Sequence, residues 1–359
     1  MPSFPVLPES GGFLFSGFAL VSQPKPFRDF YSRNRNERSA MKKIRSLAFA
    51  GLFVLSAAHA TTITENFTNN PSQDGWQTFG DTNLFQWDST NQNLDVTWDS
   101  SQTNSYFYHS LGTILATDDD FSVEFDLQLS DANATGSFEL AVGLLNLSDA
   151  TSTNFSRPLG STPNLFEFDY FPNGGYGPSI DASMADMTVT ATNESDFYFA
   201  YDNLPLAIGV TYHIILTHVA GEPTISGEVL TNGQIYTSLP NVYAGPITDF
   251  RLDTVAVISY SAAGDTYGDS ILAHGTVDNL VVTLPPPPVQ NLTGAFSNGL
   301  WQAQFISRSN WLYTLERTTN FVSWTDVSAA ASGNGTNLFL PDTNAPADNG
   351  FYRVRAGRP

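Results

Sequence analysis

From residue 61 onward the apolar residues of this chain recur at every second position, and no stretch shows a convincing 3.6-residue period. The segment 121–129, FSVEFDLQL, is the clearest case. Phe121, Val123, Phe125, Leu127 and Leu129 fall on one side, and Ser122, Glu124, Asp126 and Gln128 on the other. A strand of that period has one apolar face, which it must bury against a second layer. SFELAVGLLN (137–146), NLFEFDYF (164–171), DFYFAY (196–201), TYHIILTHV (211–219), TISGEVL (224–230) and TVDNLVVTL (276–284) continue the theme. Turn-forming residues separate them at 131–136 (DANATG), 172–175 (PNGG) and 231–233 (TNG). The pattern predicts an all-β protein built on a two-sheet antiparallel sandwich over 61–284.

Residues 285–288 are four prolines, which favour extended polyproline geometry and act as a short stiff linker. Composition changes across them. Residues 61–284 hold 28 acids and only Arg157 and Arg251 as Lys or Arg, whereas 289–359 hold four acids and five arginines. The shift marks a domain boundary. Residues 289–359 form a second, small β-sandwich, with strands expected at 300–306, 311–317, 321–327, 337–340 and 351–355. Trp301, Trp311, Trp324 and Phe351 are its candidate core aromatics.

Upstream, Met41-Lys42-Lys43-Ile44-Arg45 reads as a basic start of the bacterial kind. It is followed by the apolar SLAFAGLFVL (46–55) and the small-x-small Ala58-His59-Ala60. That order predicts a signal peptide over 41–60 and a secreted protein, extracellular, periplasmic or at the cell surface. Residues 1–40 then read as a disordered upstream extension, with translation starting at Met41 as the simplest account. The apolar stretch is too short to span a bilayer. Removal of the first 60 residues leaves seven Arg, no Lys and 32 acids, a formal charge of −25. Such a surface disfavours nucleic acid, whose phosphates require clustered cations. The absence of cysteine excludes disulfides, zinc–thiolate sites and cysteine nucleophiles.

Three stretches carry a family resemblance: the opening TITENF followed by GWQTFGD, the central pair FSVEFDLQL and SFELAVGLLN, and the closing TVDNLVVTL. Together they resemble the concanavalin A-like lectin/glucanase jelly roll of the laminin-G-like kind. The tail, YTLERTTNFVSWTDV…FYRVRA, is similar to a C-terminal module of secreted bacterial multidomain proteins, which implies export and modularity. Laminarinase-type glucanases of this fold use Glu-x-Asp-x-(x)-Glu on one strand. Glu167 and Asp169 match the first two positions and share a face, roughly 6–7 Å apart. Phe171 and Pro172 stand where the third acid would be, so no proton donor follows on that strand. The alternative is a pair of acids on a solvated sheet face, or one that holds calcium or a sugar hydroxyl.

For carbohydrate binding, exposed aromatics would stack on sugar rings, and Trp76, Trp87, Tyr170 and Tyr176 are the candidates, although most sandwich aromatics end up in the core. In related sandwiches a structural calcium joins the first and last strands, so the resemblance implicates Glu65 and Asp278. Asp131-x-Asn133-x-Thr135-Gly136 imitates half of an EF-hand loop but reads as a hairpin turn, since Val142 stands at the twelfth position. The expected function is a non-catalytic secreted protein that binds an extracellular carbohydrate or a cell-surface or matrix component. Its alternatives are a degenerate glycoside hydrolase and a purely structural surface protein.

The charge imbalance has a measurable consequence. Self-repulsion among 28 acids should be relieved as salt shortens the Debye length to about 10 Å near 0.1 M. The melting temperature should rise with sodium chloride. A further rise with calcium at matched ionic strength would mark a bound ion, and no difference between the two salts would remove the calcium expectation.

Overall fold

The computed structural model describes Leu14–Phe15 and residues 61–157, 163–175, 177–189, 195–239, 249–297, 300–346 and 350–359. The chain divides into two compact units, Ala60–Pro287 and Met1–His59 together with Pro288–Pro359. The strand β1 (Leu14–Phe15) belongs to the second of these.

In the unit Ala60–Pro287 the strands are β2 (Thr61–Glu65), β3 (Gln77–Phe79), β4 (Phe85–Asp88), β5 (Asn93–Asp99), β6 (Ser105–Leu115), β7 (Phe121–Thr135) and β8 (Leu140–Leu145). A single helical turn, α1 (Leu147–Ala150), follows. Then come β9 (Leu165–Gly174), β10 (Gly177–Val189), β11 (Ser195–Asp202), β12 (Thr211–His218), β13 (Ile225–Thr231), β14 (Gln234–Leu239), β15 (Leu252–Ser259) and β16 (Ser270–Leu284). One sheet has the order β11-β10-β9-β8-β15-β6-β3, and the other β14-β13-β12-β7-β16-β5-β4 with β2 also on β16. The pairings are antiparallel throughout. This is an all-β, two-sheet jelly-roll sandwich.

The alternation of β7 is realised as read: Phe121, Val123, Phe125, Leu127 and Leu129 are buried and the residues between them half-buried. Phe121 meets Phe166 of β9 edge-on at 4.9 Å, and Phe125 meets Phe168 at 5.8 Å. These pairs join the sheets, and they fix the parity of β9. With Phe166, Phe168 and Tyr170 turned inward, Glu167 and Asp169 must stand on the outer face of the seven-stranded sheet.

Two expected turns are strand instead. β7 continues through 131–135 because Ala132 pairs with Ala273 and Ala134 with Ile271 of β16. β9 continues through Pro172 and Asn173 to Gly174. Cross-strand pairing outweighs the local turn preference of Asp, Asn and Pro here.

The second unit carries β17 (Val289–Ser297), β18 (Leu300–Ser307), β19 (Leu312–Thr318), β20 (Thr325–Asp326), β21 (Ala331–Ser332), β22 (Asn337–Asp342) and β23 (Phe351–Gly357). Trp311 is buried, and Trp301 is buried in a flat stack on Tyr352 at 3.7 Å. Trp324 and Phe351 are only half-buried, with the Arg353 guanidinium 4.0 Å from the Trp324 ring. The strand expected over 321–327 shrinks to Thr325–Asp326, since Phe321 sits at φ 60° and the Asn320 side chain accepts from Val322 and Ser323 N–H.

Gly143 of β8 shows how tightly β9 is held. A Cβ there would overlap the Phe166 carbonyl and the Glu167 backbone. Gly143→Ala should therefore cost about 1–3 kcal/mol of stability in urea unfolding. Gly175→Ala, with open space at the same test, should change it by less than about 0.5 kcal/mol.

Candidate functional site

The outer face of the seven-stranded sheet is lined by small side chains where β8, β15 and β10 flank β9. Register places Ala256, Gly143, Glu167 and Ser183 in one row and Ile258, Ala141, Asp169 and Asp181 in the next. Gly143, Ala141 and Ala256 give this face low relief, and residues 147–157 reach it at Tyr106, Tyr260 and the acids. That segment is pinned by Asn146, which accepts from Asp149 N–H, by Tyr106, which donates to the Ala150 carbonyl, and by Phe155, stacked on Tyr260.

The segment delivers Arg157 onto the acids. Its Nε lies 3.0 Å from Glu167 Oε1 and 3.4 Å from Glu139 Oε1, and its Nη2 lies 3.1 Å from Asp169 Oδ2. Tyr260 Oη donates to Glu167 Oε2 at 2.7 Å, and Ser183 Oγ donates to Asp169 Oδ2. Glu167 and Asp169 are fully buried, and Glu139 and Asp181 nearly so. Asp181 faces Asp169 directly across the β9–β10 ladder, which sets their Cβ atoms about 5 Å apart. Among the described residues Asp169 Oδ1 and Asp181 Oδ1 have no hydrogen-bond partner.

Four carboxyls around one guanidinium cannot all ionise at low cost in a dry site. Burial, followed by the neighbouring Asp169 charge, pushes Asp181 up to about 8. Burial raises Glu139, Glu167 and Asp169 as well, opposed in each case by Arg157. The cluster therefore retains protons at neutral pH.

The structure thus supplies in space what β9 lacks in sequence. Asp181 from β10 and Glu139 from the approach to β8 join Glu167 and Asp169, and the missing third acid is no longer missing. None of the four is open to solvent, however, and the pair is neither a solvated face nor an accessible catalytic pair. Arg157 carried a usable signal. It is one of two Lys or Arg residues among 28 acids over 61–284, and a cation in such surroundings is expected to pair.

The expected sugar-stacking aromatics fare differently. Trp76 is buried, 5.0 Å from the Phe107 ring and nearly parallel to it. Tyr170 is buried on the core side of β9, with its Oη accepting from Leu206 N–H at 3.1 Å. Neither is a binding surface, because both rings fill the space between the sheets. Trp87 is half-buried and donates to the Phe67 carbonyl at 2.8 Å. Tyr176 lies outside the described residues.

The calcium pair is also corrected. Glu65 stands opposite Leu280, a core residue, and its carboxylate is buried against Phe67 N–H at 2.7 Å. Asp278 lies on the outward face of β16, beyond the irregularity at Asn279 (φ 49°). The two carboxylates leave opposite faces of the sheet and do not fit a shared calcium. No group of three or more His, Asp or Glu side chains among the described residues is arranged to hold a metal.

A second region is open. At one end of the sandwich a groove of about 680 Å³ is bounded by Asp99, Ser101, Asn133, Thr135, Asn173 and Leu272 among others. Register sets Asp99, Leu272 and Asn133 side by side across β5, β16 and β7, with Ser270 and Thr135 paired two residues along. The loop leading into Ser270 carries Tyr267, which is 88% exposed. Sequence reading passed over it, although GDTYGD (264–269), an aromatic set among Gly and Asp, was a visible signal.

No protein-family model and no curated protein matches the chain. Among solved structures it is similar to an endo-1,3-β-glucanase from Streptomyces sioyaensis (12% identity, TM-score 0.40, 63% of this chain and 96% of that one). It is likewise similar to peanut lectin (12%, 0.40, 64% and 100%) and to the alginate lyase Aly36B (11%, 0.37, 62% and 96%). These neighbours are concanavalin A-like lectin/glucanase jelly-roll proteins. The assignment of this chain to an all-β jelly-roll class rests on the strand order and register given above. No helix among the described residues is long and apolar enough to cross a membrane.

The buried cluster sets a pH dependence. A carboxyl raised by folding holds its proton over a range where the unfolded chain has lost it, so stability is greatest on the acid side and falls as pH rises. Unfolding free energy should decline between about pH 5 and 8, the upper limit set by Asp181, and the decline should flatten in Asp181→Asn. Arg157→Met, which leaves the acids without their cation, should cost about 3–5 kcal/mol at pH 8 and distinctly less at pH 5. Urea unfolding at the two pH values checks both.

Proposed function

We propose that the jelly roll is a non-catalytic carbohydrate-recognition module of an exported protein. The observation that carries this reading is the contrast between the two regions of the domain. The acids suited to glycoside chemistry are sealed beneath Arg157 and Tyr260. The open groove is lined by hydroxyl, amide and carboxylate groups together with apolar side chains, Pro172, Ile271 and Leu272 among them. That is the donor and acceptor set that sugar hydroxyls require. Export is supported by the basic, apolar and small-residue order over 41–60.

Asp181 favours a second reading. A carboxyl pushed up to about 8 beside Asp169 has the properties of a proton donor, so a glycoside hydrolase whose covering segment opens is the competing function.

Two assays separate these. The chain from residue 61 onward should be retained on a glycan array and should release no reducing sugar from β-glucan. Release that disappears in both Glu167→Gln and Asp181→Asn would establish the hydrolase instead. Absence of both binding and release would leave a structural surface role.

A further inference from the structure

We infer that the groove at the sandwich end, together with Tyr267, is a binding site for a neutral pyranose ring. The inference rests on the carbohydrate reading above and gives it a location and a ligand class.

Tyr267 is the starting point. A tyrosine ring offers one of the larger apolar surfaces in a protein, yet this one is 88% exposed. Its backbone is nevertheless held. Tyr267 N–H donates to Asp265 Oδ1 at 3.3 Å, and Asp269 N–H donates to Asp265 Oδ2 at 2.5 Å. The loop is also keyed to the end of β7. Gly136 (φ 71°) leaves no room for a Cβ beside the Asp269 carboxylate, and the Gly268 carbonyl accepts from Thr135 Oγ1 at 3.5 Å. An aromatic ring is thus presented to solvent on a held loop that runs into Ser270 at the groove's edge.

The groove supplies the remainder of a sugar seat. Leu272, 44% exposed, forms an apolar floor between Asp99 and Asn133 in the same cross-strand row. The Asp99 carboxylate is oriented by Ser101 and Gln102, with Ser101 Oγ at 2.6 Å. Asn133 has no side-chain hydrogen-bond partner among the described residues, so its amide is available as donor and acceptor. Thr135 and Ser270 share one hydrogen bond at 2.6 Å, and their hydroxyl oxygens keep lone pairs that can accept from a sugar hydroxyl. Apolar contact from Leu272 and Tyr267, with polar groups at the sides, matches a ring that is apolar on its faces and hydroxylated at its edge.

Charge sets the class of sugar. Asp99 lines the groove, Asp265 and Asp269 lie on the Tyr267 loop, and Asp131, two residues along β7 from Asn133, is bonded to His274 at 2.9 Å. No lysine is present anywhere after residue 43. A uronate or sulfated sugar would bring a second negative charge into this field without a partner, whereas a neutral hexose would not.

The test is affinity electrophoresis of the chain from residue 61 onward through gels holding laminarin, mannan or galactan as neutral arms and alginate or polygalacturonate as anionic arms. The wild type should be retarded by at least one neutral polymer and by neither anionic one. Tyr267→Ala and Asn133→Ala should each weaken that retardation at least fivefold, and Tyr267→Phe should retain it. These surface changes leave the fold intact, which circular dichroism verifies. Retardation by a neutral polymer that both alanine variants preserve would overturn the site while leaving carbohydrate recognition standing. Stronger retardation by an anionic polymer would overturn the ligand class. No retardation in any arm would end the site and the carbohydrate reading together.

Discussion

One guanidinium holds together the most acid-rich part of this domain. Arg157 touches Glu139, Glu167 and Asp169 at once, and a fourth carboxyl, Asp181, lies across the ladder from Asp169. Ionic groups in a dry interior carry a large desolvation penalty, which mutual attraction offsets only with good geometry and additional hydrogen bonds. Tyr260 and Ser183 supply those bonds, and protons retained on part of the carboxyl set reduce the excess charge. Remove the cation, and the four buried carboxyls lose the charge that offsets their own.

Burial of this cluster changes what the sheet can be used for. An antiparallel sheet ordinarily leaves one face to solvent. Here the middle strands β8, β9 and β15 are buried on both faces, and the 147–157 segment reaches the outer one through Ala150, Phe155 and Arg157. The acids are buried around Arg157 and Tyr260. The open groove lies instead at the sandwich end, where β5 and β7 end and β16 begins after the Tyr267 loop.

The strand period was legible from the residues alone. In β7, five alternate apolar positions face the core, as an alternating sequence demands of a sandwich. The pairing of Glu167 with Asp169 on one face was legible for the same reason. Turns were less so. Asp131 to Gly136 has turn composition, yet β7 continues because β16 lies alongside to complete its hydrogen bonds. The aromatics misled in the other direction. Trp76 and Tyr170 carry polar atoms that invite a surface role, but the volume between two sheets has to be filled.

Sequence by itself determined the class of fold, the faces of the strands and the charge that any partner must tolerate. Alternation and composition are local properties, so they survive being read one residue at a time. Tertiary structure decided which outer face is wet. Strand parity tells that two side chains share a face, and it is silent on what lies above them. Only the β9–β10 register brings Asp181 to Asp169, and only the path of a covering segment brings Arg157 to Glu167, ten residues away in the chain. The acid pair is closed and the Tyr267 groove open because long-range packing, which no local pattern encodes, sets the accessibility of each.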